Sequence, residues 1–402
     1  MAGVATRVNT TWFMAVMLAW GGPAMAQGQW SGQLATEARL FADSPAHPGQ
    51  GAGSLSLALQ PEYYRSWDEG RQSFLFAPFL RLDSRDAERS HGDIRELSWI
   101  RASRDWELRL GIRKVFWGVT ESQHLVDILN QTDLVENPDG EDKLGQPMVN
   151  LALVREWGTL DLFLLPGFRE RTFPGIEGRL RPALVVDTEQ AVYESSREER
   201  RIDAALRWSH YIGPWDLGLS HFHGTGREPR LLPGVDGGGQ PVLVPHYDVI
   251  HQTGLALQRI AGDWLWKLEL IRRSGQADTF TAAVGGFEYT LVGLRESVMD
   301  LGLLLEYSFD DRKDAAPNPF ENDLFLGTRW VFNDVDGTEI LAGLFLDLDH
   351  HGRLYNLEAS RRIGNAWRLS AELRVWQAFP VADPLHAFQA DDHLLVELAR
   401  YF

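Results

Sequence analysis

Strict period-two alternation of apolar and polar residues is the feature that most limits how this chain can fold. It is clearest near the C-terminus, where one alternate series is apolar: Trp367, Leu369, Ala371, Leu373 and Val375. The intervening residues are Arg368, Ser370, Glu372, Arg374 and Trp376. Successive side chains of a β-strand point to opposite faces, so this segment predicts a strand with one apolar and one mainly polar face.

The same design recurs in other segments of the chain, including 106–113, 202–209, 301–306 and 355–360. Two architectures produce it. A soluble sandwich buries the apolar faces between two sheets, whereas a membrane barrel turns them towards lipid and encloses a wet lumen.

Three features favour the barrel. The candidate strands run to about 10–13 residues, longer than the 5–6 residues typical of soluble strands and long enough to cross a membrane at a tilt. Every second connection is short, at 67–72, 103–105, 155–158, 212–214, 261–263, 333–337 and 363–366, and the intervening ones are often long, at 42–53, 83–92, 118–147, 169–199, 225–245, 310–321 and 379–392. Tryptophans flank many strands, as in an interfacial girdle: Trp106, Trp117, Trp157, Trp208, Trp215, Trp264, Trp330, Trp367 and Trp376.

The sequence therefore predicts an all-β, transmembrane, antiparallel up-and-down β-barrel of about 18 strands, with 16 as the alternative count. We expect short periplasmic turns and long outer loops, the asymmetry of outer-membrane barrels. An even number of strands returns the C-terminus to the periplasmic side on which the first strand, near Gln29, begins.

Residues 1–26 predict a signal peptide, with Arg7 before a short apolar run and Ala24-Met25-Ala26 as the cleavage site. Residues 27–402 would then form the barrel. The chain has no cysteine, which suits export through an oxidising periplasm. Its 39 basic and 56 acidic residues give a net charge of −17, which argues against a nucleic-acid partner.

The last segment ends in Phe402, with Leu398, Val396 and Leu394 on the same face. This ending resembles the C-terminal signal read by the barrel-assembly machinery. The chain as a whole is similar to bacterial porin-like barrels of 16–18 strands. Val115-Phe116-Trp117-Gly118 through Asp127-Ile128-Leu129-Asn130 resembles the Trp-Gly and Asp-Leu-Leu-Asn segment of large, poorly characterised proteobacterial porin-like proteins.

In porins the third outer loop narrows the lumen, and the resemblance implies that role for 118–147. Thr120 and Gln123 predict a capping box, followed by a short helix whose apolar face, Leu125, Ile128 and Leu129, would pack on the barrel wall. The loop is acidic and supplies the candidate constriction residues Glu121, Asp127, Asp133, Glu136, Asp139, Glu141 and Asp142. Carboxylates in a narrow pore favour cations. A solvated surface loop is the alternative.

Alternation assigns a set of basic side chains to the lumen: Arg39, Arg81, Arg109, Arg113, Arg207, Arg329, Arg368 and Arg374. Opposed acidic and basic walls would create a transverse field that orients dipolar solutes. Alternatively, the lumenal charges neutralise one another, with Glu107–Arg109 and Glu372–Arg374 as candidate pairs.

The predicted function is passive diffusion of small hydrophilic solutes or ions across the outer membrane. A substrate-specific exporter or uptake barrel is one alternative, marked by a ladder of arginines or aromatic residues along one lumenal wall, and a barrel enzyme is another. No catalytic motif or cofactor is implied, and the histidines, including His221 and His223 on one strand face near its outer end, are interpreted as rim residues rather than a metal site. The expected partners are outer-membrane lipid, lipopolysaccharide and the barrel-assembly machinery, and both a homotrimer and a monomer fit the pattern.

Overall fold

A computed structural model describes residues 28–402. The predicted signal peptide therefore lies outside the described residues. Eighteen strands form one antiparallel sheet: β1 Gln29–Phe41, β2 Gly53–Trp67, β3 Gln72–Asp83, β4 Gly92–Ala102, β5 Trp106–Arg113, β6 Gln146–Arg155, β7 Gly158–Pro166, β9 Ile202–Ile212, β10 Trp215–Thr225, β13 Val249–Ala261, β14 Trp264–Gly275, β15 Ala277–Leu291, β16 Asp300–Asp310, β17 Asn322–Val331, β18 Glu339–Asp347, β19 Arg353–Ile363, β20 Trp367–Gln377 and β21 His393–Tyr401. Three further strands, β8 Val192–Tyr193, β11 Arg230–Val235 and β12 Pro241–Tyr247, form a small separate sheet in the loops.

The large sheet closes on itself. Each of its strands pairs with the strands before and after it in the sheet, and β1 pairs with β21 with Ala35 opposite Ala399. Gly32 and Phe402 complete the seam, each backbone N–H donating to the carbonyl of the other at 3.0 Å. Closure leaves no unpaired edge, which is the condition for a sheet to cross lipid. The predicted up-and-down barrel is confirmed, with 18 strands rather than 16.

Side-chain exposure follows the predicted alternation. On β20, Leu369 and Leu373 are 38% and 40% exposed, whereas Arg374 and Trp376 are each 4% exposed. Leucines of other strands, such as Leu57, Leu164 and Leu326, are likewise exposed on the outside. A sandwich would bury these leucines, but here the barrel turns them outwards, as a lipid-facing surface requires.

The two ends of the barrel differ as expected, with three exceptions, one of which is the eight-residue connection 292–299 at the end that holds Gln29. The connections at the end that holds both Gln29 and Phe402 include the two-residue turns 156–157, 213–214 and 262–263. The opposite end carries the segments 114–145, 167–201 and 226–248. It also carries two short connections, Gln276 alone between β14 and β15 and residues 348–352 between β18 and β19.

Most of the predicted girdle tryptophans lie at the short-turn end, and Trp157, Trp215, Trp264 and Trp367 are exposed there. Two assignments are wrong. Trp117 lies beyond the end of β5, and Trp376 faces inwards near the outer end of β20; both are 4% exposed because they pack inside the barrel. Within residues 28–402, no helix is long and apolar enough to cross a membrane.

Candidate functional site

An apolar stripe interrupts the polar lining of the lumen on the strands from β6 to β15. Its members are buried side chains that include Phe163, Phe222, Ile250, Ile271 and Phe280. The third outer loop, residues 114–145 (loop 3), covers this stripe with Trp117, Val126, Ile128 and Leu129. Full burial of such a side chain contributes roughly 1.5–3 kcal/mol, so the contact holds loop 3 inside the barrel.

Loop 3 contains no helix, which corrects the expectation drawn from Thr120 and Gln123. The Thr120 hydroxyl donates to the Gln123 carbonyl at 2.5 Å. Two lumenal carboxylates instead accept hydrogen bonds from the backbone N–H groups of this segment. Glu269 on β14 accepts from the backbone N–H groups of residues 119, 120 and 126, at 2.6, 3.1 and 3.0 Å.

Glu306 on β16 is the second carboxylate that binds the loop backbone. It accepts from the N–H groups of Glu121 and Ser122 and from the Ser122 hydroxyl, at 2.7–3.0 Å. Glu269 and Glu306 are 0% and 1% exposed. The alternation predicts that both side chains face the lumen. Nothing in the sequence around them predicts that they bind a loop about 150–185 residues away.

Six of the seven predicted acidic residues take one of three kinds of position, and the seventh, Asp142, lines a cavity described below. Those paired with wall arginines are Glu121 with Arg329 at 2.6 Å, Glu136 with Arg81 at 2.7 Å, and Asp139 with Arg374 at 2.7 Å. Pairs within loop 3 are Asp127 with Lys143 at 3.4 Å, and Glu141 with His124 at 3.0 Å. Asp133 is 0% exposed and binds Arg95 and the Thr172 hydroxyl, both at 2.7 Å, so it does not face open space.

Five of the eight predicted lumenal arginines contact loop 3 through their side chains. Arg39 donates to the backbone carbonyl of Glu136, and Arg207 lies over the Trp117 ring; Arg81, Arg329 and Arg374 form the pairs given above. Arg109 instead pairs with Glu107 and Asp161, and Arg368 donates to Ser360. Arg113 accepts a bond from the Asn130 amide through its carbonyl. Wall arginines therefore face loop carboxylates directly, at both β1–β3 and β17–β20.

Several loop 3 groups have shifted pKa values. Burial, together with the neighbouring Asp139 and Glu136, raises the pKa of Asp142 to about 7. Burial also raises the pKa of Asp133, but His91 and Arg95 outweigh it and lower that pKa to about 2. For His124, burial lowers the pKa, whereas Glu141 and Glu269 raise it to about 10, so this imidazole is protonated at neutral pH.

Two open cavities lie beside loop 3. Strands β17–β20 line both, β13–β16 also line the outer one, and β1–β3 and β21 also line the inner one. The outer cavity measures about 740 Å³ and the inner one about 480 Å³. Glu121, Leu341 and Glu358 line both cavities, so the two spaces adjoin these residues. The inner cavity is lined by eight carboxylates and four guanidiniums: Glu37, Glu121, Glu136, Asp142, Glu339, Glu358, Glu372 and Glu397 against Arg39, Arg81, Arg329 and Arg368.

Aromatic side chains form one wall of the outer cavity, and we call them the aromatic wall: Phe320, Phe325, Phe345, Trp376 and Phe388. The Phe345 ring lies 4.6 Å from that of Phe320 and 4.7 Å from that of Phe325. The sequence contained part of this signal, because the alternation places Trp376 on the lumenal face. Phe320 and Phe388 come from loops, so no strand pattern could have located them.

The fourth outer loop, residues 167–201, crosses the mouth of the barrel. Arg179 donates to the Asp391 carboxylate at 2.6 Å, and the same carboxylate accepts from the Leu180 N–H at 2.9 Å. The Leu180 side chain packs with Trp376 and Phe379. The loop thereby ties the β7 side of the mouth to the β20–β21 side and covers part of the lumen.

One group of described side chains has the spacing to hold a metal ion, namely His91, Asp133 and Glu136. The guanidiniums of Arg95 and Arg81 already bind these two carboxylates. Positive charges at this distance oppose a cation. The group therefore serves as an ion-pair network between the second and third outer loops.

The closed barrel, its apolar outside and its charged lumen, which loop 3 partly fills, together define a transmembrane β-barrel of the outer-membrane type. No protein-family model matches the sequence, and no curated protein matches it. Solved structures do match. OpdQ of Pseudomonas aeruginosa is 11% identical, with 94% of this chain and 99% of that chain covered and a TM-score of 0.53.

OccK3 (OpdO) of Pseudomonas aeruginosa is 10% identical, with 93% of this chain and 95% of that chain covered and a TM-score of 0.53. Wzi of Escherichia coli, described as a carbohydrate-binding β-barrel involved in group 1 capsule assembly, is 9% identical, with 91% and 83% covered and a TM-score of 0.52. At these identities the likeness establishes the fold alone.

Proposed function

We propose that this protein is an outer-membrane channel through which small hydrophilic solutes or ions diffuse passively. The observation that carries the proposal is the pair of cavities that share Glu121, Leu341 and Glu358 inside a closed barrel. Loop 3 is the constriction, because it fills the β6–β15 side of the lumen and leaves the space along β17–β20 as the route for solutes. Residues 1–26 would direct export, and the barrel-assembly machinery would recognise Phe402.

The charge of the inner cavity favours cations. Its eight carboxylates outnumber its four guanidiniums, and fixed negative charge in a narrow pore raises the local concentration of cations. Glu358 lines both cavities, so its carboxylate lies on the route itself.

The test is reconstitution of the purified protein in planar bilayers. We expect discrete conductance steps and a cation-selective reversal potential in a salt gradient. Glu358→Gln should lower the cation-to-anion permeability ratio, whereas Asp236→Asn, in an exposed turn of the fifth outer loop, should leave it unchanged. If folded protein inserts without producing steps, the channel proposal is wrong.

A second candidate function, selective passage of solutes that carry an apolar ring, is favoured by the aromatic wall. Aromatic faces bind rings by stacking and bind organic cations through cation–π attraction. An aromatic ammonium ion should then block the ion current more strongly than an aliphatic ammonium ion of equal size. Phe345→Ala should abolish the difference, and the outward-facing Phe309→Ala should preserve it. Equal block by both ions in the unmodified protein would exclude ring selectivity.

A further inference from the structure

The outward face of β10 and β13–β15 changes from apolar to polar near the outer ends of these strands. One row of outward residues is apolar, with Leu219, Leu255, Leu270 and Ala283 paired across the four strands. The next outward row contains His221, Thr253, Arg272 and Thr281, again directly paired. Beyond it, His223 pairs with His251. We call His221, His223, His251, Thr253, Arg272 and Thr281 the outward polar patch.

The height of the patch places it within reach of lipid headgroups. Arg272 lies eight residues beyond the girdle residue Trp264 on the same outward column of β14. At about 3.4 Å per residue and a tilt of about 40°, that separation raises Arg272 roughly 20 Å above Trp264. The apolar band of such barrels is about 25 Å tall, so the patch lies at its upper border.

The outward face of β20 lacks this change at the same height. On β20, Val375 lies eight residues beyond the girdle residue Trp367, and the column between them is apolar. The cation at this level on β14 therefore stands where β20 has an apolar residue. Arg272 donates to the Thr281 hydroxyl at 3.2 Å and forms no ion pair within residues 28–402.

The chemistry of the patch fits a phosphate group. Arg272 is exposed and cationic, Thr253 is an exposed hydroxyl, and His251 is an exposed imidazole stacked on His223 with ring centroids 4.2 Å apart. Arg201 at the upper edge is bonded to the His223 ring at 2.8 Å and is paired with the Asp203 carboxylate at 3.2 Å. The guanidinium of Arg272, which has no acidic partner among the described residues, attracts an anion, and positive charge beside the imidazoles opposes a metal ion.

We infer that the outward polar patch binds the phosphate of a phosphorylated glycolipid in the outer leaflet, the lipid A portion of lipopolysaccharide. This inference concerns the outside of the barrel and goes beyond transport through the lumen. The acyl chains of the same lipid would lie along the leucine row directly below the patch, so one molecule would contact both the polar patch and the apolar row.

Binding can be measured by native mass spectrometry of the full protein in detergent, titrated with diphosphoryl lipid A or with the same lipid after removal of its phosphates. The unmodified protein should bind the phosphorylated lipid at least about tenfold more tightly, because charge-assisted hydrogen bonds are lost with the phosphates. The double variant His251→Gln/Arg272→Gln should lose that preference. Arg353→Gln, which removes an outward arginine at the outer end of β19, should keep it.

Folding of each variant is checked by the shift in gel mobility on heating, so that loss of binding is not confused with loss of the barrel. Equal affinity of the unmodified protein and the double variant for phosphorylated lipid would overturn the inference. Displacement of the lipid by millimolar inorganic phosphate would assign the patch to a soluble anion instead. Tighter binding of Zn²⁺ than of lipid, or dissociation of an oligomer by the double variant with lipid binding intact, would also overturn it.

Discussion

Asp142 is the loop 3 carboxyl whose charge changes closest to neutral pH. It lines the inner cavity, and burial beside Asp139 and Glu136 raises its pKa to about 7. A carboxyl with a raised pKa is neutral below that value and negative above it. The lining of the inner cavity therefore gains negative charge as the pH rises from 6 to 8.

This titration predicts a pH-dependent selectivity. The cation-to-anion permeability ratio should rise by about twofold between pH 6 and pH 8, as expected for one added charge acting across several ångströms of water. The ratio is obtained from the reversal potential in a salt gradient. Asp142→Asn should remove the rise, and Asp236→Asn should not. A rise that persists in Asp142→Asn would show that another group titrates.

The sequence predicted the direction of a strand side chain better than the partner of that side chain. Alternation assigned Arg81, Arg329 and Arg374 to the lumen, because side-chain direction in a strand depends only on position. It gave no information about which carboxylate each would meet. Glu136 and Arg81 are 55 residues apart, and their pairing depends on the path of loop 3.

Loop 3 is the element whose conformation the sequence predicted least well. Thr120 and Gln123 satisfy a local rule for starting a helix, and that rule applies where no stronger acceptor is near. Glu269 and Glu306 supply stronger acceptors from distant strands, and the apolar stripe holds the loop against them. Strand positions are predictable from a period of two residues, whereas this loop depends on contacts between distant segments.

Removing the two wall carboxylates should release loop 3. In Glu269→Ala/Glu306→Ala, the buried loop amides lose their acceptors, which costs about 1–3 kcal/mol for each unsatisfied group. We expect a larger and noisier single-channel conductance with the barrel intact, measured in planar bilayers alongside heat-dependent gel mobility. Glu397→Ala is the control, since Glu397 lines the inner cavity without binding the loop backbone. Unchanged conductance in the double variant would mean that the apolar contacts alone fix the loop.

At the scale of the whole molecule, closure joins the first strand to the last. Gly32 and Phe402 exchange two backbone hydrogen bonds, yet the Phe402 side chain is 57% exposed. We therefore predict that Phe402→Ala reduces the amount of barrel assembled in the outer membrane but leaves the thermal stability of the assembled barrel nearly unchanged. Quantifying the heat-modifiable band in membrane fractions tests the first part, and its melting temperature tests the second. A large loss of melting temperature would instead assign Phe402 to stability.

Two neighbouring residues of β19 test the orientation of the entire barrel. Leu357 points outwards and is 39% exposed, whereas Asn356 lines the outer cavity. Arginine on a lipid-facing strand position costs about 2–4 kcal/mol near the bilayer midplane, but the wet lumen accepts it. Leu357→Arg should therefore lower the free energy of unfolding in lipid vesicles, measured by urea titration, and Asn356→Arg should change it little. Because the two substitutions add the same side chain one residue apart, the difference between them reports which face meets hydrocarbon. A greater loss for Asn356→Arg would contradict the lipid-facing assignment of the leucines, and with it the membrane barrel itself.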